Sequence, residues 1–366
     1  MQEDFAAITR AKYQKAIMVA KPYIVGYNFT MACNLRCKWC VTGAGEPLED
    51  EMSTKEALRA IDNLAEAGTI HLSFGGGEAT VRGDLFEVAR YASKVIDSVG
   101  IVSNGYLIDE KLAYNLAGAG VSSVMISLDG SEAQLHDQNR GSGSYDKALK
   151  AIGACKKNNL MARISFTISK SNYHDLEAMV ELAKNLGIPL NVQEFMPRGR
   201  GKGKENLVLA RAQRKEMQLY LRKIQKKYGI HSVGFEDRYI VSDDEEIQKI
   251  CSDTSRECDM YSFNVGCLTG IYSVFLSADG KISLCGKYGL GVLGDLKEHR
   301  LAEIWKNSEL LQYIRNRDNL EGICGKCNYR FICGGCRAVA LHEKGDFMEE
   351  DPRCWITRCE NICYNK

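Results

Sequence analysis

From Tyr23 to about Phe195, short apolar runs rich in β-branched residues alternate with segments whose apolar residues recur at helical spacing, and this alternation constrains the fold more than any other feature. Strands are expected at Tyr23–Phe29, Ile70–Phe74, Gly100–Ser103, Ser123–Leu128, Arg163–Ser169 and Pro189–Phe195. Between them, helices are expected at Thr54–Glu66, Leu85–Ile96, Glu110–Ala117, Tyr145–Lys157 and His174–Leu186. Parallel strands cannot be joined by tight turns, so each strand–helix–strand passage is a right-handed crossover that lays its helix on the sheet. Six such units curl into a barrel or part of one. The expected class is α/β: a partial (β/α)6 TIM-like barrel followed by a small cysteine-rich domain with a β-hairpin. The limits are 1–22 for an N-terminal helical segment, 23–230 for the barrel with its following helix, and 231–366 for the cysteine-rich domain.

Net charge is +1, which gives no global field for nucleic acid or an anionic membrane, so neither is expected as a partner. No apolar run approaches the ~18 residues of a membrane span. The start, MQEDFAAITRAKYQKAIMVAKP, is charged and lacks the apolar core of a secretion signal, so a cytoplasmic location is expected. In that reducing compartment 15 cysteines, an odd number, argue against a disulfide framework and for thiolates that hold metal. Cys155, inside a helical pattern, reads as a small buried apolar residue.

After Phe195 comes a glycine-rich basic loop, PRGRGKGK, and a helical pattern at Ala210–Tyr228. Residues 198–227 hold eleven Lys/Arg against two Glu, which reads as a solvated helix face or as a substrate-facing patch. The next stretch, 236–259, is acidic, and from Ile271 the run to Cys285 reads as a hairpin around Asp279-Gly280.

Cys33, Cys37 and Cys40 follow the first strand directly. Three thiolates this close can wrap one face of an iron–sulfur cube, but four irons leave one without a protein ligand, and an open iron invites a chelating substrate. Zinc with a distant fourth ligand is the alternative. Gly75-Gly76-Gly77-Glu78 follows the second strand, where glycines admit close approach to the backbone and a carboxylate can accept from an ammonium group. Ser103-Asn104-Gly105 follows the third strand and Ser127-Leu128-Asp129-Gly130 the fourth. All four motifs therefore meet at the carboxyl mouth, where barrel enzymes place their active sites.

C-x3-C-x2-C after a first strand with a GGE-type motif after the second resembles the radical S-adenosylmethionine (SAM) superfamily, over roughly residues 20–196. The resemblance implies that Cys33, Cys37 and Cys40 hold a [4Fe–4S] cluster whose open iron is chelated by SAM. It implies that Gly76, Gly77 and Glu78 meet the SAM amino group, and that Ser127 and Arg140 contact its carboxylate or ribose. Trp39 resembles the aromatic residue that lies beside the adenine. Ala79-Thr80 departs from relatives that often carry proline after the glutamate, which alters the turn and keeps the carboxylate.

The C-terminal series Cys267, Cys285, Cys324, Cys327, Cys333, Cys336 and Cys354 resembles the SPASM extension of radical SAM enzymes, which carries auxiliary iron–sulfur clusters. The two C-x2-C pairs lie too close for a zinc ribbon, although zinc stays open. By resemblance Cys324, Cys327, Cys333 and Cys354 complete one cluster, and Cys267, Cys285 and Cys336 supply three ligands to a second. Its fourth ligand is Cys258 or Cys251, or is absent, leaving a site for substrate. The Cys333–Cys336 gap of two residues, where relatives usually have three, sets the geometry at Cys336 apart. Cys359 and Cys363 have no assigned role.

The expected activity is reductive cleavage of SAM to a 5′-deoxyadenosyl radical that oxidatively modifies or cross-links a peptide or protein side chain. Modification of a tetrapyrrole side chain, such as oxidative decarboxylation, is the alternative, followed by dehydrogenation of a sugar or cyclitol and by a non-catalytic iron–sulfur carrier. Implied partners are a peptide or small-molecule substrate, an electron donor such as flavodoxin or ferredoxin, and, for a peptide, a separate recognition protein. Sulfatase maturation is not expected. In those maturases the residue after the cysteine corresponding to Cys285 is an aspartate base, and here it is Gly286.

Overall fold

The computed structural model describes residues 2–229, 232–235, 266–286 and 290–355. Its strands are β1 (Ile24–Thr30), β2 (His71–Gly76), β3 (Ser98–Ser103), β4 (Ser123–Ser127), β5 (Met161–Ile168), β6 (Leu190–Glu194), β7 (Val233–Phe235), β8 (Ser273–Leu276), β9 (Lys281–Cys285) and β10 (Leu290–Asp295). They form one ten-stranded sheet in the order β10-β9-β8-β1-β2-β3-β4-β5-β6-β7. From β1 to β7 every neighbour is parallel, as the crossover argument requires. Helices α1 (Gln2–Met18), α2 (Thr54–Glu66), α3 (Leu85–Val95), α4 (Glu110–Gly118), α5 (Ala133–Arg140), α6 (Ser144–Lys157), α7 (Leu176–Leu186) and α8 (Arg211–Tyr228) punctuate the chain.

Alternate strand residues, such as Val25 and Tyr27 on β1, Leu72 and Phe74 on β2 and Ile164 and Phe166 on β5, are buried with helix residues such as Ala60, Ile61 and Leu64 of α2 in one core. Period-2 alternation turns the other set, including Gly26, Ser73 and Gly100, to the opposite face. Helix starts follow local chemistry: Ser53 caps α2 through a reciprocal capping box with Glu56. Cys155 is fully buried in the core, as its helical pattern implies.

Two differences from the sequence reading position the site. The hairpin of β8 and β9 does not stand apart: β8 pairs in parallel with β1, Ile24 opposite Ser273 and Gly26 opposite Phe275. Strand β7 lies beyond residue 230 and pairs with β6 at the other edge. The 230/231 limit therefore divides the sequence and does not divide the sheet; an open edge of hydrogen-bonding groups recruits a strand from anywhere in the chain. The second difference is α5, which is not among the helices expected from the sequence. Its buried residues are His136 and Asn139, both polar, so no apolar period announces it.

Candidate active site

The cysteine loop leaves β1 and packs directly on the loop that leaves β2. The Gly77 amide donates to the Thr30 carbonyl at 2.7 Å and the Glu78 amide to that of Ala32 at 2.9 Å, while the Cys33 amide donates to Gly45 at 2.9 Å. A Cβ on Gly76, whose φ is +106°, would lie 2.4 Å from the Thr30 oxygen, and one on Gly77 would lie 2.1 Å from the Ala32 oxygen. The two glycines thus permit the close contact between the loops.

Glu78 is fully buried. Its Oε1 accepts from the Thr80 hydroxyl and amide and from the Ser103 hydroxyl, at 2.6, 3.2 and 2.8 Å, and its Oε2 accepts from the Asn104 amide at 2.7 Å. Burial pushes its carboxyl above the usual range against the pull of these hydrogen bonds. Oε1 is saturated, so only Oε2 retains acceptor capacity. Glu78 also holds Asn104, whose side-chain amide donates to Asn34 at 2.8 Å and approaches the Cys33 sulfur at 3.9 Å. Motifs from three strand ends thereby become one assembly.

Strand β4 ends at Ser127, and the chain turns through Asp129 into α5. Asp129 is fully buried and receives Arg140 Nε at 2.6 Å, the Asn139 amide at 2.8 Å and the Thr167 amide at 3.0 Å. Burial would push its carboxyl up, but the Arg140 charge and hydrogen bond, with His136 and the Thr167 amide, together outweigh burial and hold it below the usual range. Asn139 turns its carbonyl groups to the cysteine loop: the Lys38 amide donates to its backbone oxygen at 2.9 Å and the Trp39 amide to its Oδ1 at 3.2 Å. Arg140 stands close enough to Cys37 and Cys40 for their charges to interact. Its side chain is 12% exposed, and its terminal nitrogens carry no hydrogen bond among the described residues.

Trp39 packs edge-on to Phe195, ring centroids 6.0 Å apart, with its indole N–H buried and without an acceptor among the described residues. Behind the loop, Arg200 Nε donates to Cys37 O at 2.8 Å and its Nη1 donates to Gly43 O and Ala44 O at 3.0 and 2.6 Å. Lys204 Nζ donates to Lys38 O at 2.5 Å. Part of the basic segment is therefore neither a solvated face nor a substrate patch but a clamp on the cysteine loop. Sequence reasoning placed Asn104 at the mouth within the Ser103-Asn104-Gly105 motif but gave no contact to it, to Asn139 or to Arg200. Their partners lie 70 to 163 residues away, and no local pattern records them.

The thiols suit an iron–sulfur cluster. Leu35 N donates to Cys33 Sγ at 3.5 Å, and Cys40 Sγ lies 3.3 Å from the Thr42 hydroxyl. Burial raises the Cys33 and Cys37 thiols; at Cys40 burial is outweighed by hydrogen bonds from Thr42 and Ala44 and by Arg200, and the thiol is lowered. Among the described residues no three His, Cys, Asp or Glu side chains close on a single ion. The unsatisfied indole N–H and the open Arg140 nitrogens leave donors for a ligand beside these thiols.

At the C-terminal end Cys324, Cys333 and Cys354 interact electrostatically, and Cys324, Cys327 and Cys333 are buried. Amides of Asp351, Tyr329 and Gly335 donate to the sulfurs of Cys324, Cys327 and Cys333, each at 3.4 Å. Cys285 and Cys336 pack together on Met196, Ala338 and Val339, beside Val41 of the cysteine loop. The short gap is closed by Gly334 and Gly335, both left-handed at φ +70° and +62°. Cys267 follows Gly266, whose Cα packs on the Cys333 backbone. Cys251, Cys258, Cys359 and Cys363 lie outside the described residues. A Cβ on Gly286 would lie 2.4 Å from the Phe275 ring, so a side chain where sulfatase maturases carry their base would require that ring to move.

Residues 27–183 match the radical SAM superfamily, and residues 267–328 match SPASM, an iron–sulfur cluster-binding domain. The AdoMet-dependent heme synthase of Methanosarcina barkeri is 31% identical over 340 residues, spanning 92% of this chain and 97% of that protein. The mycofactocin maturase MftC of Mycolicibacterium smegmatis is 34% identical over 181 residues, 49% of this chain and 46% of that one. In fold, the chain resembles Streptococcus suis SuiB, solved bound to its precursor peptide SuiA, with a TM-score of 0.73 at 19% identity over 94% of this chain and 79% of that one. The chain belongs to the radical SAM superfamily, as an enzyme with a C-terminal SPASM domain whose cofactors are SAM, a [4Fe–4S] cluster and auxiliary iron–sulfur clusters.

Proposed function

We propose that this enzyme acts on the side chain of a tetrapyrrole, with oxidative decarboxylation of a propionate as its reaction. The observation that carries this reading is the reach of the likeness. The heme synthase is matched over 92% of this chain, into the cysteine-rich end, whereas the peptide maturase is matched over 49%. When bound, SAM and its cluster supply the 5′-deoxyadenosyl radical that removes a hydrogen atom, and the auxiliary clusters supply an acceptor for the electron the substrate gives up. Cys33, Cys37 and Cys40 are assigned to the SAM-binding cluster, and Cys267, Cys285, Cys324, Cys327, Cys333, Cys336 and Cys354 to the auxiliary ones. Arg140 and Ser127 are assigned to the SAM carboxylate or ribose, Trp39 to the adenine, and Glu78 with Gly76 and Gly77 to the amino end. The open guanidinium nitrogens of Arg140 suit a carboxylate.

Gly286 supports the choice of substrate. A propionate that loses a hydrogen atom, then carbon dioxide and one electron, becomes a vinyl group. The substrate surrenders its own leaving group, so no protein base has to take a proton at position 286, which carries no side chain. Peptide or protein side-chain modification is the second reading, favoured by the half-length likeness to the maturase. Either reaction calls for a one-electron donor of the flavodoxin or ferredoxin kind.

The test is anaerobic incubation of reduced protein and SAM with iron coproporphyrin III in one arm and a sulfatase-motif peptide in another. Loss of carbon dioxide and two hydrogens from the tetrapyrrole, in step with 5′-deoxyadenosine, is expected. Deoxyadenosine with an unchanged tetrapyrrole would overturn the reading, and a changed peptide would replace it with the second.

A further inference from the structure

The carboxyl end of β6 and the two residues after it, Glu194-Phe195-Met196, connect directly or through one neighbour to all three cysteine groups. Phe195 packs on Trp39 between Cys37 and Cys40, and Met196 packs with Cys285 and Cys336. Glu194 reaches the third group through charge. It forms a bidentate pair with Arg214 of α8, Nε to Oε1 at 2.6 Å and Nη2 to Oε2 at 2.5 Å, and both side chains are 1% exposed. Arg214 Nη1 then donates to the Arg353 carbonyl at 2.9 Å, next to Cys354.

Asp351 completes the connection. Its carboxylate is buried at 3% exposure, with Oδ1 accepting from the Arg353 amide at 2.9 Å and Oδ2 from the Cys336 amide at 2.8 Å. Its own amide donates to Cys324 Sγ at 3.4 Å. One residue thus grips the backbone of Cys336, the sulfur of Cys324 and the segment that carries Cys354. By the assignments above, those cysteines serve two different clusters.

We propose that Asp351 is a positioning residue that fixes the two auxiliary cysteine groups relative to each other, and that the Glu194–Arg214 pair fixes both to the barrel mouth. The proposal rests on the assignment of those cysteines to clusters, and it is independent of the substrate. Hydrogen bonds to cluster sulfurs and charges near them set cluster potentials, so a shift of this segment alters the auxiliary clusters themselves.

The decisive variant is Asp351→Asn in the fully reconstituted enzyme. An amide has one acceptor oxygen, and the Cys336 and Arg353 amides require two. The expected result is a shifted auxiliary midpoint potential and a second form in the auxiliary electron paramagnetic resonance signal, with the signal of the SAM-binding cluster unaltered. Glu349→Gln is the control, since it removes an equal charge two residues away. Arg211→Ala supplies an independent route should the buried variant not fold, because Arg211 holds the Pro352 carbonyl from outside at 3.0 Å. It should give the same changes to a smaller degree. Auxiliary signals and potential unchanged in folded Asp351→Asn, or equal changes in Glu349→Gln, would overturn the proposal, as would an unchanged Arg211→Ala. Iron near four per chain in the unsubstituted protein would instead remove the cluster assignment beneath it.

Discussion

At the scale of single residues the site is decided by how buried polar groups divide their hydrogen bonds. Arg140 spends Nε on Asp129 and keeps its terminal nitrogens. Arg140→Ala should weaken SAM binding about ten- to a hundredfold, the equivalent of ~1.5–3 kcal/mol for a charge-assisted hydrogen bond, with iron content unchanged by assay. Unchanged affinity by equilibrium titration would leave Arg140 only as the partner of Asp129. Glu78→Ala should do more than weaken SAM binding: it strands two buried and two part-buried donors and releases Asn104 from Cys33, so its stability should fall as well. His136 titrates from the same assembly. Its Nδ1 accepts from the Asp129 amide, and burial first, then the Arg140 charge, bring its pKa down to about 4 from 6.5. Between those values the unfolded chain takes up a proton and the native chain does not. Stability present above pH 6.5 is therefore lost as pH falls toward 4, by about 2 kcal/mol at pH 5. His136→Asn keeps an acceptor for Asp129 and removes the titration. In denaturant unfolding of anaerobic protein at pH 7.5 and pH 5, the substituted chain should lose less stability, and equal losses would refute the assignment.

Among the elements, strands and helices with apolar periods are legible in the sequence, and those held by polar contacts are not. Thr54–Glu66 is recovered to the residue because its cap and its apolar stripe agree. Helix α5 is invisible because it buries His136 and Asn139 in place of aliphatic residues. The basic segment after β6 shows its charge but not its partners. Arg200 binds carbonyls of the cysteine loop, and Arg211 and Arg214 bind those of Pro352 and Arg353. The three-cysteine motif and the three other strand-end motifs are legible because they are contiguous with their strands, whereas the clamp behind them crosses more than 150 residues. A planar guanidinium that serves three carbonyls cannot be replaced by an ammonium at one point. Arg200→Lys should therefore loosen the loop while keeping the charge. Its [4Fe–4S] cluster should be lost on mild chelation several-fold faster than in the unsubstituted enzyme, read as bleaching at constant protein. Equal rates of loss would show that the loop holds its shape without the clamp.

At the scale of the whole molecule, one continuous sheet carries both cysteine regions, because β8 of the hairpin lies against β1. The resemblance to two families in sequence gives no sign of that junction, since pairing between strands about 250 residues apart depends on which edges are left open after the barrel forms. The proposed assignments carry an iron count. On these assignments, Cys33, Cys37 and Cys40 would hold one cube, Cys324, Cys327, Cys333 and Cys354 a second, and Cys267, Cys285 and Cys336, with or without a further ligand, a third. Three cubes amount to about twelve irons per anaerobically reconstituted chain. Replacing Cys33, Cys37 and Cys40 together by Ala should remove about four irons and all SAM cleavage, with the auxiliary signals retained. Retention is expected because the assigned ligands Cys324, Cys327 and Cys333 receive hydrogen bonds from the amides of Asp351, Tyr329 and Gly335, which lie outside the cysteine loop. Metal analysis decides the matter: iron near four with zinc making up the balance would replace the auxiliary clusters by zinc sites. Iron lost entirely on the triple substitution would mean that the three groups assemble only together.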